Sequence, residues 1–365
     1  MLKTLQNAFK VKDVRHRIFY VLMMLVVIRI GSQLPVPGVD GSYFKTWFES
    51  QTGDAFNFLD AFTGGSFSQM SIFALSITPY ITSSIIIQLL TIAIPKLEEM
   101  QRDGEDGRKK LGAITRYVTI GLSLFESIAM AIGFGNKGLI PDNSFVKMVV
   151  VVVALTAGSA FLMWVGEQIN EKGVGNGISI VLLINIVSRI PSDMTKLYES
   201  FMKGKIIAKA LLSGVIIAAI IVGVVILVII LNGAERRIPV QYSKKMQGRK
   251  MMGGQSSHIP LKVNTAGVIP VIFASSIITA PQIVLSFVNT GAYQKVSSFL
   301  SLQKPFGLVL YAVLTFLFTF FYTDLQVDPD KIAENLGKSG AYIPGIRPGS
   351  ETRTYLKKVI HRITV

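Results

Sequence analysis

Residues able to do chemistry are scarce in this chain, and the two that stand out are charges placed inside apolar runs. Arg29 lies two-thirds along a run at 18–34, and Glu126 lies near the middle of another at 117–135. A charge in hydrocarbon costs a few kcal/mol on insertion scales, so each needs a polar partner or water. Arg29 is expected to snorkel, with its stem in lipid and its head at the nearer interface. Glutamate's stem is short. Glu126 is therefore expected to be held neutral or hydrogen-bonded to polar side chains of another span, either the hydroxyls and amide at 82–88 or Ser275, Ser276 and Thr279. The three histidines, His16, His258 and His361, sit in basic polar segments without metal-ligand spacing. No Gly-x-x-x-x-Gly-Lys-Ser/Thr loop occurs, and the glycine run at 173–177 reads as a loop entering a helix. Cysteine is absent, which excludes disulfides and thiolate metal sites. Neither enzyme, cofactor nor metal is expected.

The elements that must position these residues are membrane helices. The 365 residues are 50% hydrophobic with a mean hydropathy of +0.50, and the apolar residues come in long continuous blocks. Lipid leaves every backbone N–H and C=O to be satisfied internally, so a span is a helix or a closed barrel. Continuous blocks, rather than alternation every second residue, exclude the barrel. Eight spans are expected, at 18–34, 72–94, 117–135, 148–166, 173–188, 210–233, within 263–294, and at 305–323. The second is unusually polar. Its 23 uncharged residues include Pro79, Thr82, Ser83, Ser84 and Gln88, so it should face protein or water over part of its surface. No cleavable signal peptide is evident, and the first run reads as a retained span.

The formal charge of +15 is concentrated beside the spans. The N-terminus, 96–116, 235–262 and the tail after the eighth span carry most of it, and with eight spans all four fall on one side, the cytoplasm. The stretch 189–209, with five basic residues, is a mild exception. The segments 235–262 and 325–365 are long and polar enough to protrude. They read either as solvated anchors or as docking sites for an anionic partner, such as ribosomal RNA or an acidic protein surface. Between the first two spans, 55–67 is aromatic but too short to span. It reads equally as an interfacial turn or as a short folded-back helix ended by Gly64 and Gly65.

Several stretches, RIGSQLPVPG (29–38), SIFALSITPYITSSIIIQLL (71–90), FLMWVGEQINEKGVGNGISI (161–180), HIPLKVNTAGVIPVIFASSI (258–277) and GAYIPGIRPGSET (340–352), resemble the SecY family. Members of that family are the central subunit of the bacterial protein-conducting channel. The resemblance runs the whole length, in the family's order and spacing. It implies an all-α membrane bundle of two pseudo-symmetric halves around an hourglass pore, with about eight of the family's ten helices present. The halves would be 1–190 and an incomplete 191–365. The chain would end in or just before the ninth helix, without one ring position and the C-terminal tail.

The resemblance also implies site residues. A closing ring of apolar side chains would comprise Ile77, Ile81, Leu182 and Ile272. A plug at 55–67 would include Phe56, Phe58, Leu59, Phe62, Gly64 and Gly65. A lateral gate to lipid, between the second and third spans on one side and the seventh and eighth on the other, would include Ser83, Gln88, Glu126 and Ser275. Docking of the ribosome and the motor ATPase SecA would fall on Arg249, Lys250 and Arg347. SecE and SecG would complete a heterotrimer. Signal sequences and nascent polypeptides would be the cargo, with the N-terminus in the cytoplasm and the chain in the bacterial cytoplasmic membrane. The alternative is a secondary transporter of a small solute. Pro270 and Pro281 in the seventh span suit it, whereas the scarcity of buried charge and the large basic loops do not.

Overall fold

Proline and left-handed backbone decide where the helices of this chain begin. The structure is a computed structural model that describes residues 9–41, 44, 46, 60–136, 144–203, 207–242, 245–247, 250–252, 256–288, 296, 299–301 and 304–364. Its long helices are α1 (Lys12–Gln33), α2 (Thr78–Ala93), the short α3 (Pro95–Arg102), α4 (Gly104–Asn136), α5 (Phe145–Lys172), α6 (Gly177–Phe201) and α7 (Ile207–Gly233). After a set of strands come α8 (Ile269–Val288), α9 (Pro305–Gln326), α10 (Pro329–Lys338) and α11 (Ser350–Thr364). Each of the eight expected runs coincides with one of them. Among the described residues, five helices are long and apolar enough to cross a membrane, or up to six if α2 and α3, bent by 104°, count as one span.

The second span differs from expectation. A helix over 72–94 would carry Pro79 in its interior, where the ring lacks a donor and clashes with the carbonyl four residues earlier. The helix instead starts at Thr78, with Pro79 in its first turn, where the missing N–H costs nothing. Residues 64–77 form consecutive turns, with Met70 (φ 46°) and Ser76 (φ 53°) in the left-handed region. Such irregular backbone is tolerated at membrane depth only inside protein. Phe73, Ala74, Leu75, Ser76 and Ile77 are accordingly all buried. The turns lie tight against α5: a Cβ on Gly158 would sit 2.1 Å from the Ile72 carbonyl oxygen, so only glycine fits there.

Two compact units share the chain, one of residues 1–196 and 279–304, the other of 197–278 and 305–365. In the first, Val36, Phe44, Phe67, Met70, Leu75, Phe134 and Leu155 form an apolar core between the turns, α4 and α5. Phe44 meets Phe134 edge-on at 4.9 Å between centroids. Helix α4 turns a hydroxyl face inward, with Thr115, Thr119, Ser123 and Ser127 buried at every fourth position. Thr156 of α5 donates to the Ser127 hydroxyl at 3.2 Å. Arg116 on α4 pairs with Glu167 on α5 at 2.8 Å. The glycine run at 173–177 is the loop expected, closed by Asn176, whose carboxamide oxygen accepts from the N–H groups of Ile178 and Ser179 at the start of α6.

The second unit holds the strands. β1 (Glu235–Tyr242) pairs antiparallel with β4 (Ser256–Lys262), from Glu235 opposite Lys262 to Gln241 opposite Ser256. β5 (Ala341–Tyr342) adds to the other edge of β1 at Gln241 and Tyr242. A hairpin of β2 (Lys245–Gln247) and β3 (Lys250–Met252) stands between β1 and β4 in the chain. Ile238 and Val240 of β1, Leu261 of β4, Ala333 and Leu336 of α10, and Leu356 and Ile360 of α11 form one core. The segments 235–262 and 325–365, read from sequence as two separate protruding loops, therefore fold together into one small α/β body. The clues were the period-two pair Ile238/Val240 and the period-four set Thr352, Leu356, Ile360. Leu356 is fully buried, so Leu356→Ala should cost about 2–5 kcal/mol. Limited proteolysis of membranes is expected to cut this body in the variant and spare the spans; an unchanged digestion pattern would contradict that packing.

Candidate functional site

Three of the four proposed ring residues gather in one place. Ile77 precedes the first residue of α2 and is completely buried. Ile81 lies one turn further on the same face, and Leu182 comes from α6; both are half-buried. All three belong to an apolar cluster with Met24, Ile28, Leu162 and Val181. Ile272 is on α8 in the second unit, half-buried, and its carbonyl accepts from Ser276 at 2.8 Å.

The backbone that delivers Ile77 is held by a polar side chain. Ser76 adopts the left-handed conformation immediately before it, which is costly for a residue with a Cβ. Asn185 of α6, itself buried, donates from Nδ2 to the Ser76 hydroxyl at 3.0 Å. One helical turn along α6, the Ser188 hydroxyl donates to the Asn185 carbonyl of its own helix at 2.7 Å and lies 3.5 Å from the Gly64 carbonyl. Arg189 then reaches Asp60, with 2.6 Å between Nη1 and Oδ2.

Of the proposed plug residues, Phe56, Phe58 and Leu59 lie outside the described residues. Residues 60–63 are helical, with Phe62 half-buried, and the helix ends at Gly64 (φ 69°) and Gly65 (φ 85°). The glycine ending is the one named in the second of the two readings, and the Gly65 N–H closes it on the Asp60 carbonyl at 3.1 Å. Gly64 is required twice over, because a Cβ there would also come within 2.8 Å of the Asn185 Cα.

Two of the proposed gate hydroxyls bond within their own helices. Ser83 is buried, but its hydroxyl donates to the Pro79 carbonyl of its own helix at 2.7 Å. Ser275 likewise bonds back to Val271. In an apolar medium the carbonyl four residues earlier is the nearest acceptor, so these hydroxyls satisfy themselves and do not reach across. Glu126 and Gln88 are half-buried, and among the described residues no hydrogen bond or ion pair joins Glu126 to span two. Arg29 also departs from expectation. It donates to the Ser188 hydroxyl at 3.0 Å, tying α1 to α6. Arg189, a member of the basic stretch that broke the charge pattern, is neutralised by Asp60.

At the proposed docking sites, Arg249 lies outside the described residues and Lys250 opens β3. Arg347 is exposed at the top of a turn whose backbone is fixed: its carbonyl accepts from Thr352 Oγ1 at 2.9 Å. Asp60, Arg189, Asn185 and the left-handed Ser76 were missed by sequence reasoning. An acidic residue beside Gly-Gly and an arginine out of place in the charge pattern were the only signals available.

Comparison with known proteins bears on this arrangement. The SecY family model matches residues 71–365. The protein translocase subunit SecY of Halalkalibacterium halodurans is 44% identical over 100% of this chain and 86% of its own length. That of Bacillus subtilis (strain 168) is 43% identical over 100% and 85%. That of Escherichia coli (strain K12) is 42% identical over 97% and 81%. Among solved structures, a protein-conducting channel superposes with a TM-score of 0.66 at 18% identity, covering 96% of this chain and 82% of the other. Sec61 from a canine ribosome–channel complex superposes with a TM-score of 0.60 at 17% identity, covering 96% and 82%. The structural likenesses show a shared fold. The alternative of a small-solute transporter finds no support among these relatives.

Proposed function

This chain belongs to the SecY family, and from that premise we propose that it is the central subunit of a protein-conducting channel in the bacterial cytoplasmic membrane. It passes unfolded polypeptide across the membrane and releases apolar segments sideways into lipid, with its N-terminus in the cytoplasm. The observation that carries this reading is the joining of Ile77, Ile81 and Leu182 in one apolar cluster at the start of α2. Branched apolar side chains close against one another and keep water and ions out, yet part around a moving chain without leaving polar groups unpaired. Ile272 of the second half, 191–365, is the fourth residue assigned to the ring, beside the three of the first half, 1–190. The segment 55–67 blocks the outer side of the pore. Glu126, Gln88, Ser83 and Ser275 line the lateral gate, where an entering signal helix parts the spans.

SecE and SecG are its membrane partners, and SecA or a translating ribosome supplies the drive. Arg249, Lys250 at the start of β3, and Arg347 on the turn after β5 dock them. Arg347 stands on an α/β body built from two distant stretches of chain, and the hairpin that carries Lys250 lies in the chain between two strands of that body, which supports docking at this part of the protein.

A stalled preprotein tests the reading directly. With a photo-crosslinkable amino acid at position 81 or 182, the arrested chain should be captured in high yield, and with the same probe at Ile220 of α7, whose side chain is exposed, it should not. Capture at position 220 with none at 81 or 182 would overturn the ring assignment.

A further inference from the structure

We infer that Asp60 and Arg189 are positioning residues: their ion pair latches the glycine turn at 60–65 onto α6, and α6 in turn holds the backbone before Ile77. The inference rests on the channel reading for what the latch controls, but not for its existence.

Three neighbouring side chains on one face of α6, at positions 185, 188 and 189, bind three separate parts of the chain, at Ser76, Arg29 and Asp60. Arg189 pairs with Asp60 at 2.6 Å, and the side chains are only 15% and 6% exposed. The second carboxylate oxygen of Asp60 accepts from the Ser68 N–H at 2.8 Å, so the anion is satisfied on both sides. Asp193 stands 3.6 Å from the other end of the Arg189 guanidinium. Ser188 accepts from Arg29 of α1, donates to the Asn185 carbonyl of its own helix, and lies 3.5 Å from the Gly64 carbonyl. Asn185 holds the left-handed Ser76. Residues 185, 188 and 189 are spaced three and four apart and share one helical face. A shift of the 60–65 turn away from α6 therefore strips Arg189 of its buried partner, and it disturbs the same face that fixes Ile77.

A buried pair of this kind adds little net stability compared with apolar packing, but removing one partner leaves an uncompensated buried charge. That asymmetry suits a latch. The closed arrangement is specified sharply, and the pair is released as a unit. Asp60→Asn and Arg189→Gln should each free the turn, whereas Arg189→Lys, which keeps the charge, should restore much of the hold.

The experiment uses the absence of native cysteine. Ser66 is 2% exposed and lies just beyond Gly65, so a single Ser66→Cys reports the turn's exposure. Full-length protein in membranes is treated with a membrane-impermeant maleimide. Labelling should rise about tenfold or more in Asp60→Asn and in Arg189→Gln, and fall back toward the starting rate in Arg189→Lys and in the swapped pair Asp60→Arg with Arg189→Asp. In parallel, export of a preprotein with a defective signal sequence should increase in the same variants that label faster. Equal labelling in all five proteins would overturn the latch. Faster labelling without any change in export would leave the latch standing and count against the channel reading built on it. Where one of Asp60→Asn and Arg189→Gln fails to accumulate, the other, which breaks the same pair from the opposite side, carries the test.

Discussion

Replacing Arg347 by glutamate should reduce motor-driven export about tenfold or more, with the protein still inserted in normal amount. The turn that carries Arg347 is stiff for identifiable reasons. Gly345 (φ 81°) and Gly349 (φ 105°) take backbone conformations closed to other residues, and Pro344 and Pro348 restrict the positions beside Arg347. Ile343, buried in the α/β core, anchors the start of the turn, and the Thr352 hydroxyl bonds the Arg347 carbonyl at its far side. A guanidinium presented without loss of backbone freedom suits two-point binding of a carboxylate or phosphate. Reversing its sign replaces attraction by repulsion at a fixed place. Lys357→Glu on the exposed face of α11 is the control, and as a solvated charge it should change export by less than about twofold. Export by Arg347→Glu at the normal rate would remove Arg347 from the docking surface.

The second large effect is expected at the ring. The double variant Ile81→Ser with Leu182→Ser should let small ions through the resting channel, raising conductance about tenfold or more. An apolar constriction excludes ions because water leaves it, and hydroxyls on two walls hold water there. Ile81 and Leu182 are the right positions to change because both are half-buried, so the substitution alters the lining more than the fold. Ile77 is the wrong one. It is completely buried against the core, and its truncation would cost about 2–5 kcal/mol of folding stability, confounding a leak with damage. Dye-loaded vesicles containing equal amounts of each protein give the measurement. Vesicles as tight with the double variant as with the unchanged chain would place the barrier elsewhere.

Legibility from sequence depended on the kind of contact. The spans were readable because a membrane imposes one rule on every residue of a crossing helix, and the blocks at 148–166 and 210–233 obey it without exception. The glycine ending after 60–63 was also readable, since Gly-Gly is a local signal with a local consequence. Span two was misjudged at its start because hydropathy does not distinguish a helix from buried turns of the same composition; Pro79 was the available correction. The hydroxyls at Ser83 and Ser275 were read as partners for Glu126, but sequence does not reveal that each has an acceptor four residues behind it.

Composition and spacing by themselves determined a membrane helical protein, its eight apolar runs and its basic flanks. Those are properties that each residue contributes independently of where the others lie. Only tertiary structure decided that 235–262 and 325–365 make one body, that Asp60 neutralises Arg189 across more than a hundred residues, and that Ile77, Ile81 and Leu182 meet. Such pairings depend on how helices pack, and packing is set by the whole set of side-chain shapes at once, with no period or motif in the chain to announce it.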